Sequence, residues 1–298
     1  MKEKILVIGG TGFIGSHVLK NFSKKKFILF SLSKKKKTNL KKIKNVKYIF
    51  KDITKINLLK KINENFDHII NLCGYVDHSD KKKNDLFHFQ GTKNAVRAFN
   101  SKNLKSFIQI GSSLEYGRLK SPQREKKKCK PIGVYGSSKY KASKFIENYS
   151  LKNYLPYIIL RPYQVFGPNQ KKNRLIPQII DACFKNKNFD CTSGTQLRDF
   201  IYIDDFTDLI KKIIKNKKTR KEILNVGTGK PISVKFVINK IKSLIKKGNP
   251  KFGASEMRKD EIKKLYPSIK KVKKKFNWSP KVSLLKGLKK TILSYERR

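Results

Sequence analysis

Short apolar segments alternate with longer amphipathic segments through the first half of the chain. The apolar segments are rich in Ile, Leu, Val and Phe and too short for helices, so we expect each of them to form a strand. The predicted strands are residues 5–8, 27–32, 46–50, 67–73, 106–110 and 157–160, and helical patterns cover residues 12–22, 81–101 and 134–149. Strands separated by helices are typical of βαβ units, so the pattern predicts an α/β fold with a Rossmann-like, doubly wound parallel sheet.

The alternation becomes irregular after residue 165, where glycine and proline interrupt the chain. We therefore expect one domain at 1–165 and a smaller α/β domain that mainly covers 166–298. Some segments of the second domain are expected to return to the first. A last helix is expected after the segment FNWSP (276–280).

The chain has 298 residues, of which 38% are hydrophobic. This is enough to bury a large core, and it excludes disorder along the whole chain. No apolar run approaches the roughly 20 residues of a membrane-spanning helix, so we expect no membrane insertion. The cysteines lack the spacing of metal ligands, so we expect no metal site and a reduced, cytoplasmic protein; they are Cys73, Cys129, Cys183 and Cys191.

The formal net charge of +51 comes mostly from lysine. A strongly basic chain can bind nucleic acid or an anionic membrane. Here the lysines are spread over many short runs, and phosphate recognition favours the planar fork of arginine. We therefore interpret the charge as a solvated lysine surface. Non-specific association with RNA or DNA at low salt is expected, and a specific nucleic-acid partner is not.

The segment GGTGFIG (9–15) follows the first predicted strand and opens the first predicted helix. Glycines at this point let the backbone approach the pyrophosphate of a dinucleotide, and the N–H groups at the start of a helix attract its negative charge. A glycine pattern alone is weak evidence, but this one has the strand before it and the helix after it that dinucleotide binding requires.

The second predicted strand bears on the choice between NAD and NADP. An NAD site usually has an acidic residue at the end of this strand for the ribose 2′-hydroxyl, whereas the stretch FSLSKK (30–35) has none. Ser31, Ser33 and Lys34 suit a 2′-phosphate instead, so the sequence favours NADP(H), with NAD(H) as the alternative. Asp52, after the third strand, is a candidate contact for the adenine ring or, alternatively, a helix N-cap.

A Tyr-x-x-x-Lys pair places a phenol and an ammonium one helical turn apart. The ammonium lowers the pKa of the phenol, which can then transfer protons near neutral pH. The pattern recurs by chance in so lysine-rich a chain, but Tyr135 and Lys139 follow Ser112 and Ser113, which end the fifth strand. Tyr140 lies about 140° around the helix from Tyr135, so both cannot face one nicotinamide.

Together these segments resemble the extended short-chain dehydrogenase/reductases of the NAD-dependent epimerase/dehydratase family, which act on nucleotide sugars. The resemblance covers essentially the whole chain. The matching segments are GGTGFIGSH (9–17), DHIINLCG (67–74), GTKNAV (91–96), FIQIGSSLEYG (107–117), YGSSK (135–139), LRPYQVFGP (160–168), NRLIP (173–177), RDFIYIDD (198–205), NVGTG (225–229) and WSP (278–280). The resemblance implies that 1–165 binds NAD(P), that 166–298 mainly binds the nucleotide sugar, and that the protein is a homodimer.

The resemblance also implies roles for individual residues. Ser112 matches the catalytic Ser/Thr of the family, Tyr135 the acid/base and Lys139 its partner. Besides Tyr135 and Lys139, the expected cofactor contacts are Gly9, Thr11, Gly12, Phe13, Ile14, Gly15, Ser31, Ser33, Lys34, Asp52, Ile53, Leu72, Cys73 and Gly74. The expected contacts of the nucleotide sugar are Ser112, Ser113, Gln164, Arg174, Arg198 and Arg258. For Arg198, an ion pair with Asp199 or Asp204 is the alternative.

The sequence departs from the family pattern in three places. The dehydratases of the family place Asp-Glu after the catalytic residue, whereas Ser113 and Leu114 follow Ser112 here, so we do not expect a 4,6-dehydratase. His88 and Gln164 stand where Asn is common. Gly111 replaces a commoner serine and allows a close approach without identifying a substrate.

The lead hypothesis is an NADP(H)-dependent reductase of the C4 ketone of a nucleotide-linked 4-keto-6-deoxyhexose. The segments IGSSLEYG and NRLIP look most like reductases that make CDP-abequose or dTDP-6-deoxyhexoses, precursors of surface polysaccharides such as the O-antigen. The alternative is an NAD-dependent nucleotide-sugar 4-epimerase, which uses the same three residues. A remote alternative, motivated by the charge, is a Rossmann-fold protein that binds RNA.

Overall fold

A parallel sheet is the centre of the computed structural model, which describes residues 2–23, 27–34, 42–75, 80–216, 218, 220–258 and 260–296. The strands are β1 (Lys4–Ile8), β2 (Ile28–Ser33), β3 (Val46–Phe50), β4 (His68–Asn71), β5 (Ser106–Ile110), β6 (Tyr157–Pro162), β7 (Gln164–Phe166), β8 (Asn188–Cys191), β9 (Leu197–Arg198), β10 (Phe200–Tyr202), β11 (Glu222–Val226), β12 (Ile232–Ser233), β13 (Asn249–Phe252) and β14 (Lys264–Leu265). Seven of them form the main sheet in the order β11-β6-β5-β4-β1-β2-β3, with every neighbouring pair parallel.

The helices cover both faces of this sheet. They are α1 (Phe13–Phe22), α2 (Ile56–Lys60), α3 (Lys81–Asn84), α4 (Gly91–Phe99), α5 (Gly133–Lys152), α6 (Leu175–Phe184), α7 (Ile203–Lys215), α8 (Val234–Ile245), α9 (Lys270–Phe276) and α10 (Leu284–Glu296). A π-helical segment (Asp85–Gln90) joins α3 to α4, and a 3₁₀ turn (Ser113–Tyr116) follows β5. No helix in the described part of the chain is both long and apolar enough to cross a membrane.

The strand order confirms the predicted doubly wound sheet. All six strands predicted in the first half belong to it, with ends that differ by at most two residues from the prediction. The order reverses at β1, which lies between β2 and β4. Sheets of this kind bind ligands in the crevice at the carboxyl ends of the strands beside such a reversal.

Side chains on the central strand alternate between two apolar layers. On β1, Ile5 and Val7 belong to the layer that contains Phe22 of α1, whereas Leu6 and Ile8 belong to the layer that contains Val96 of α4. This alternation follows from the pleat of a strand, and burial on both faces is why the strand reads as a continuous apolar run.

The second half of the chain contributes to both parts of the molecule. β11 extends the main sheet beside β6, and α7 packs on α1 in the same apolar layer. The remaining strands form small sheets, which pair β10 with β7, β13 with β8, and β9 with both β12 and β14. The division into domains at residue 165 stays a prediction.

One predicted helix differs from the structure. The helical pattern at 81–101 predicted a single regular helix, but the segment divides into α3, the π-helical segment and α4. A π segment widens the helix by one residue per turn and is frequent at functional sites. Here it carries His88 into the crevice beside the candidate site.

Candidate active site

A glycine loop connects β1 to α1 at the carboxyl edge of the sheet. Gly9 has a φ of +79°, which glycine adopts readily. A Cβ on Gly9 would lie 3.1 Å from the Leu72 carbonyl, and a Cβ on Gly15 would overlap the Gly9 carbonyl oxygen. Gly12 is the N-cap of α1 and leaves the first N–H groups of the helix without a side-chain cap. The loop therefore has the close backbone and exposed N–H groups that a pyrophosphate requires.

The residues after β4 form the opposite wall of this crevice. Leu72 and Cys73 contact Gly9, and the Cys73 N–H donates to the Asn71 side chain at 3.1 Å. Burial raises the pKa of the Cys73 thiol to about 11, so it stays protonated and is not a nucleophile. A Cβ on Gly74 would overlap the imidazole of His88. Leu72, Cys73 and Gly74 thus line the crevice as a close-packed wall.

The end of β2 carries a paired charge. Lys34 Nζ lies 2.9 Å from Asp52 Oδ2, and the other Asp52 oxygen accepts both the N–H and the hydroxyl of Thr54. Burial raises the pKa of Asp52, but the hydrogen bonds from Lys34 and Thr54 lower it further, so the pKa lies below its ordinary value. The end of β2 therefore does have an acidic group beside it, the Asp52 carboxylate from the segment after β3. Lys34 is paired with this carboxylate and is not a free cation. Asp52 is not a helix N-cap either, since Lys55 holds that position in α2.

Some of the other expected cofactor residues lie in the crevice, and others lie in the interior of the protein. Thr11 donates its hydroxyl to Ser33 at 3.0 Å, which joins the glycine loop to β2. Ser31 is fully buried beneath Gly10, and Ile53 is buried against Gly91, the first residue of α4. Both side chains are buried in the core, and the expected contacts of Ser31 and Ile53 with a cofactor stay predictions. Phe13 and Ile14 are partly buried on the first turn of α1, and Lys35 lies outside the described residues.

Ser112 stands at the start of the 3₁₀ turn after β5. Its Oγ accepts the Leu114 N–H at 3.1 Å, and its own N–H donates to Glu115 Oε1 at 2.8 Å. These two bonds form a capping box, which fixes the backbone of the turn. Ser113 is buried inside the turn.

Tyr135 and Lys139 lie one turn apart on α5, beside Ser112. The Lys139 ammonium donates to the Ile110 carbonyl oxygen at 2.8 Å and lies 6.0 Å from the centre of the Tyr135 ring. Burial lowers the pKa of Lys139 to about 8, while the negative charge of Glu115 opposes that shift. Burial raises the pKa of the Tyr135 phenol, and a hydrogen bond with Ser112 opposes this. The structure thus brings the three predicted catalytic residues together.

His88 packs directly on the candidate acid/base. Its ring meets the Tyr135 ring edge to face at 5.0 Å, and its Nε2 lies 3.2 Å from the Tyr75 backbone nitrogen. The imidazole is buried. His88 therefore forms a wall that limits the movement of Tyr135, a role that the sequence left open.

The expected substrate arginines lie at different places. Arg198 is buried and donates to the carbonyl oxygens of Leu197 and Ile262, and its guanidinium also forms an ion pair with Glu261. The 77%-exposed Arg258 side chain pairs with the other Glu261 oxygen at 2.8 Å. Glu261 thus joins Arg198 to Arg258.

An ion pair of Arg198, the alternative to a nucleotide contact, exists with Glu261 rather than with Asp199 or Asp204. Asp199 instead accepts the N–H groups of Thr228 and Gly229, and Asp204 pairs with Lys290 at 3.2 Å. Both carboxylate oxygens of Asp199 are thus occupied by backbone N–H groups rather than by the guanidinium of its neighbour.

Two further expected contacts lie on separate segments. Arg174 is the N-cap of α6, and its positive charge helps to lower the pKa of Tyr135, which places it on the side of the crevice that holds the phenol. Gln164 begins β7 with an exposed side chain. No group of three or more His, Cys, Asp or Glu side chains among the described residues could hold a metal ion.

Sequence reasoning missed the buried Glu115 and its partner Arg161, whose side chains lie behind Ser112. It also missed Glu261. The one sequence signal for the first pair was the glycine at 111, since a small residue in a strand end often marks a close approach.

Comparison with known proteins agrees with this geometry. Residues 5–227 match the NAD dependent epimerase/dehydratase family. The chain is 28% identical to a putative UDP-glucose 4-epimerase of Methanocaldococcus jannaschii over 97% of each protein, and 28% identical to the dTDP-D-glucose 4,6-dehydratase of Homo sapiens over 98% of this chain and 90% of that protein. A crystal structure of a UDP-glucuronic acid 4-epimerase from Bacillus cereus, in complex with UDP-glucuronic acid and NAD, has the same fold, with a TM-score of 0.90 at 24% identity and 99% coverage of both chains. The family match spans most of the chain, so the protein belongs to the NAD dependent epimerase/dehydratase family, extended short-chain dehydrogenases/reductases that act on nucleotide sugars.

Proposed function

We propose that this protein is an NAD-dependent 4-epimerase of a nucleotide sugar. The observation that carries the proposal is the assembly of Ser112, Tyr135 and Lys139 at the end of β5, with no second acid–base pair beside them in the part of the chain that the structure describes. The sequence alone favoured the reductase, but the Lys34–Asp52 pair removes the preference of the β2 end for NADP. Relatives that match 97% and 85% of this chain are named as a putative UDP-glucose 4-epimerase and a UDP-glucuronate 4-epimerase.

The crevice fits a dinucleotide. A Cβ on Gly9 would crowd the backbone of Leu72, and a Cβ on Gly15 would overlap the Gly9 carbonyl oxygen, so the loop packs as closely as a pyrophosphate-binding turn requires. The Asp52 carboxylate beside Ser33 suits a ribose hydroxyl better than a 2′-phosphate, because a phosphate there would meet a negative charge. When bound, the nicotinamide ring accepts a hydride from C4 of the sugar and returns it.

Three side chains control the transfer of the C4 hydroxyl proton. Tyr135 accepts this proton as the carbon is oxidised and returns it as the carbon is reduced. The Lys139 ammonium stabilises the phenolate form of Tyr135. Ser112 donates a hydrogen bond to the C4 oxygen, which holds the ketone in place between the two half-reactions. Reduction on the opposite face of the ketone then inverts the configuration at C4.

A dehydratase is not proposed, although several relatives carry that name. Removal of water from the sugar needs a further acid and base beside the catalytic serine. Ser113 is a buried hydroxyl, and the Glu115 carboxylate is fully buried and paired with Arg161. A hydroxyl is a poor acid and a poor base at neutral pH, and the Glu115 carboxylate is already held by Arg161 and the Ser112 N–H, so neither supplies the further acid–base pair.

The C4-ketone reductase is the second candidate. It uses the same Tyr135, Lys139 and Ser112, and it is favoured by one observation: β2 itself ends in Ser33, whose hydroxyl joins that of Thr11. Such a hydroxyl pair suits a phosphate if Lys34 leaves Asp52. In that case the enzyme binds NADPH reversibly and feeds a surface polysaccharide such as the O-antigen.

Three arginines are proposed to bind the nucleotide. Arg198 and Arg258 lie together around Glu261, and Arg174 lies nearer to Tyr135. Guanidinium groups form paired hydrogen bonds with phosphate oxygens, so this set suits a nucleoside diphosphate.

A homodimer is proposed through α5 and the π-helical segment. Leu86 is exposed there, and a groove of about 520 Å³ beside it is lined by Phe89 and Phe145. Lys141 in this groove is already paired with Asp85 at 3.1 Å, so its charge does not repel a second copy. Light scattering tests this: we expect twice the chain mass for the wild-type protein and a monomer for Leu86→Asp.

The function is tested by the cofactor that the protein retains. The protein is purified in high salt to remove nucleic acid, a sample is denatured, and the released dinucleotide is identified. The remainder is titrated with NADH and NADPH. One NAD per chain supports the epimerase. An empty protein that prefers NADPH contradicts it and supports the reductase.

A further inference from the structure

We propose that Glu115 and Arg161 form a buried positioning pair that holds the Ser112 hydroxyl in place for the reaction. The inference rests on the role that the proposed function gives to Ser112. Neither Glu115 nor Arg161 contacts the crevice itself, so the pair acts through Ser112.

The Glu115 carboxylate is held from two sides. It is 0% exposed, and its Oε1 accepts the Ser112 N–H at 2.8 Å. Its Oε2 accepts Nε and Nη2 of Arg161, both at 2.9 Å. Arg161 is 2% exposed and lies on β6 in the main sheet. The rigid sheet therefore determines the position of the Ser112 backbone.

Gly111 makes room for this carboxylate. A Cβ on Gly111 would overlap Glu115 Oε1. The glycine at a position where the family commonly has serine is thus explained by the side chain behind it rather than by a substrate. Gly111, Glu115 and Arg161 form one structural unit.

A polar network behind the pair is fully buried. The Arg161 guanidinium lies 4.6 Å from the centre of the Tyr116 ring, and the Tyr116 hydroxyl donates to Asn225 at 2.8 Å. The Asn225 amide in turn donates to the Gln123 carbonyl oxygen at 2.9 Å. Satisfied networks in a low-dielectric interior are rigid, and this one joins the 3₁₀ turn to β6 and β11.

The hydrogen bond that the Ser112 oxygen accepts determines the direction in which its hydroxyl proton can point. Its oxygen accepts the Leu114 N–H, so its proton is left to point towards Tyr135 and the substrate oxygen. If Glu115 no longer held the Ser112 N–H, the turn could shift. A displacement of about 1 Å in a positioning group costs about 100-fold in rate.

The charge of Glu115 also reaches the catalytic lysine. Among the described residues, three titratable groups lie around Lys139. They are Glu115 in the 3₁₀ turn, Cys73 after β4 and Tyr135 on α5 itself. Burial lowers the pKa of Lys139, and Glu115 is the main charge that raises it. Loss of that charge moves the alkaline limb of the pH profile to lower pH, which a purely structural defect does not do.

Two double variants separate these effects. Glu115→Leu/Arg161→Met replaces the pair by apolar groups of similar volume, which buried ion pairs often tolerate without loss of stability. It removes the acceptor of the Ser112 N–H. Glu115→Gln/Arg161→Met is its matched control, because it is equally uncharged but keeps an amide oxygen for that N–H. Steady-state rates, pH profiles and thermal unfolding are measured for both, with a nucleotide sugar that the wild-type enzyme converts.

We expect kcat of the Leu/Met variant to fall about 100-fold, with KM changed less than about threefold, and kcat of the Gln/Met variant to stay within about tenfold of wild type. In both variants the alkaline limb should move to lower pH, because both lose the Glu115 charge that raises the pKa of Lys139. Equal kcat values in two folded variants, or an unmoved limb, would overturn the inference. If the wild-type protein converts no nucleotide sugar, the proposed function itself is wrong.

A structural control covers the case in which a variant is unstable. Asp205 is another buried carboxylate that holds backbone N–H groups, those of Lys281 and Val282, both at 2.9 Å. Asp205→Asn should lower the melting temperature without moving the pH limb. If it moves the limb as far as the Glu115 variants do, the assignment of the pair is refuted.

Discussion

The Lys139 ammonium lies 2.8 Å from the carbonyl oxygen of Ile110, the last residue of β5. This bond joins α5 to the central sheet just before Ser112. The phenol, the ammonium and the serine hydroxyl therefore share one rigid support, which is what a reaction that moves a proton over a short distance requires.

Removal of the Tyr135 hydroxyl should abolish proton transfer. Tyr135→Phe keeps the ring against His88, so the fold and the retained dinucleotide should be unchanged. We expect kcat to fall by about 10²- to 10⁴-fold, the contribution of a positioned acid/base. Single-turnover rates measure this. A variant with more than half of the wild-type rate would show that another group transfers the proton.

Activity should fall in alkaline solution as Lys139 loses its proton. The pKa of Lys139 is lowered by burial to about 8, so the ammonium is present below that pH and lost above it. Because kcat/KM reports groups of the free enzyme, its alkaline limb should lie near pH 8. Lys139→Arg, which stays charged, should retain some activity and lose this limb. An identical limb in that variant would assign it to a different group.

Gly111→Ala should damage the site through Glu115. The added methyl group overlaps the carboxylate, and overpacking of this kind costs about 1–3 kcal/mol. We expect a lower melting temperature together with a fall in kcat. The same substitution in the Glu115→Gln/Arg161→Met background should be less harmful, because the amide is no longer fixed by Arg161 and can shift. Equal losses in both backgrounds would argue against the carboxylate as the obstacle.

Cofactor preference should respond to Asp52. Asp52→Asn frees Lys34 from its ion pair, so NADPH should bind more tightly relative to NADH. The pair is half-exposed on the lysine side, so we expect a change of at most about fivefold. Fluorescence titration of cofactor-free protein measures the ratio. A shift towards NADH would mean that Asp52 does not oppose a 2′-phosphate.

Arg258→Ala should weaken nucleotide binding and leave stability unchanged. The side chain is 77% exposed and its ion pair is with Glu261, so little of the fold depends on it. Loss of one charge-assisted contact to a diphosphate should raise KM about tenfold with kcat nearly constant. Lys251→Ala, an exposed lysine on β13, is the matched control for the loss of a positive charge. If both variants change KM equally, Arg258 acts only through net charge.

The sheet and the grouping of Ser112, Tyr135 and Lys139 could be predicted from the sequence because both depend on local patterns. Apolar strands, the glycine loop and the Tyr135–Lys139 spacing are all read within a few residues. The Glu115–Arg161 pair joins residues 46 positions apart, and Lys34 reaches Asp52 from a neighbouring strand. No periodicity encodes such pairs. The π-helical segment was missed because its widened turn leaves the apolar pattern almost unchanged.

The most direct test of the proposed function follows the hydrogen at C4. UDP-glucose and UDP-glucuronic acid deuterated at C4 are incubated with the protein without added cofactor, and the products are analysed by NMR. We predict a C4 epimer that keeps deuterium at C4, because the hydride is removed and returned within one active site, and no product with Tyr135→Phe. The absence of an epimer from these and from dTDP- and CDP-linked sugars, or conversion only with a stoichiometric supply of NADPH, would contradict the epimerase.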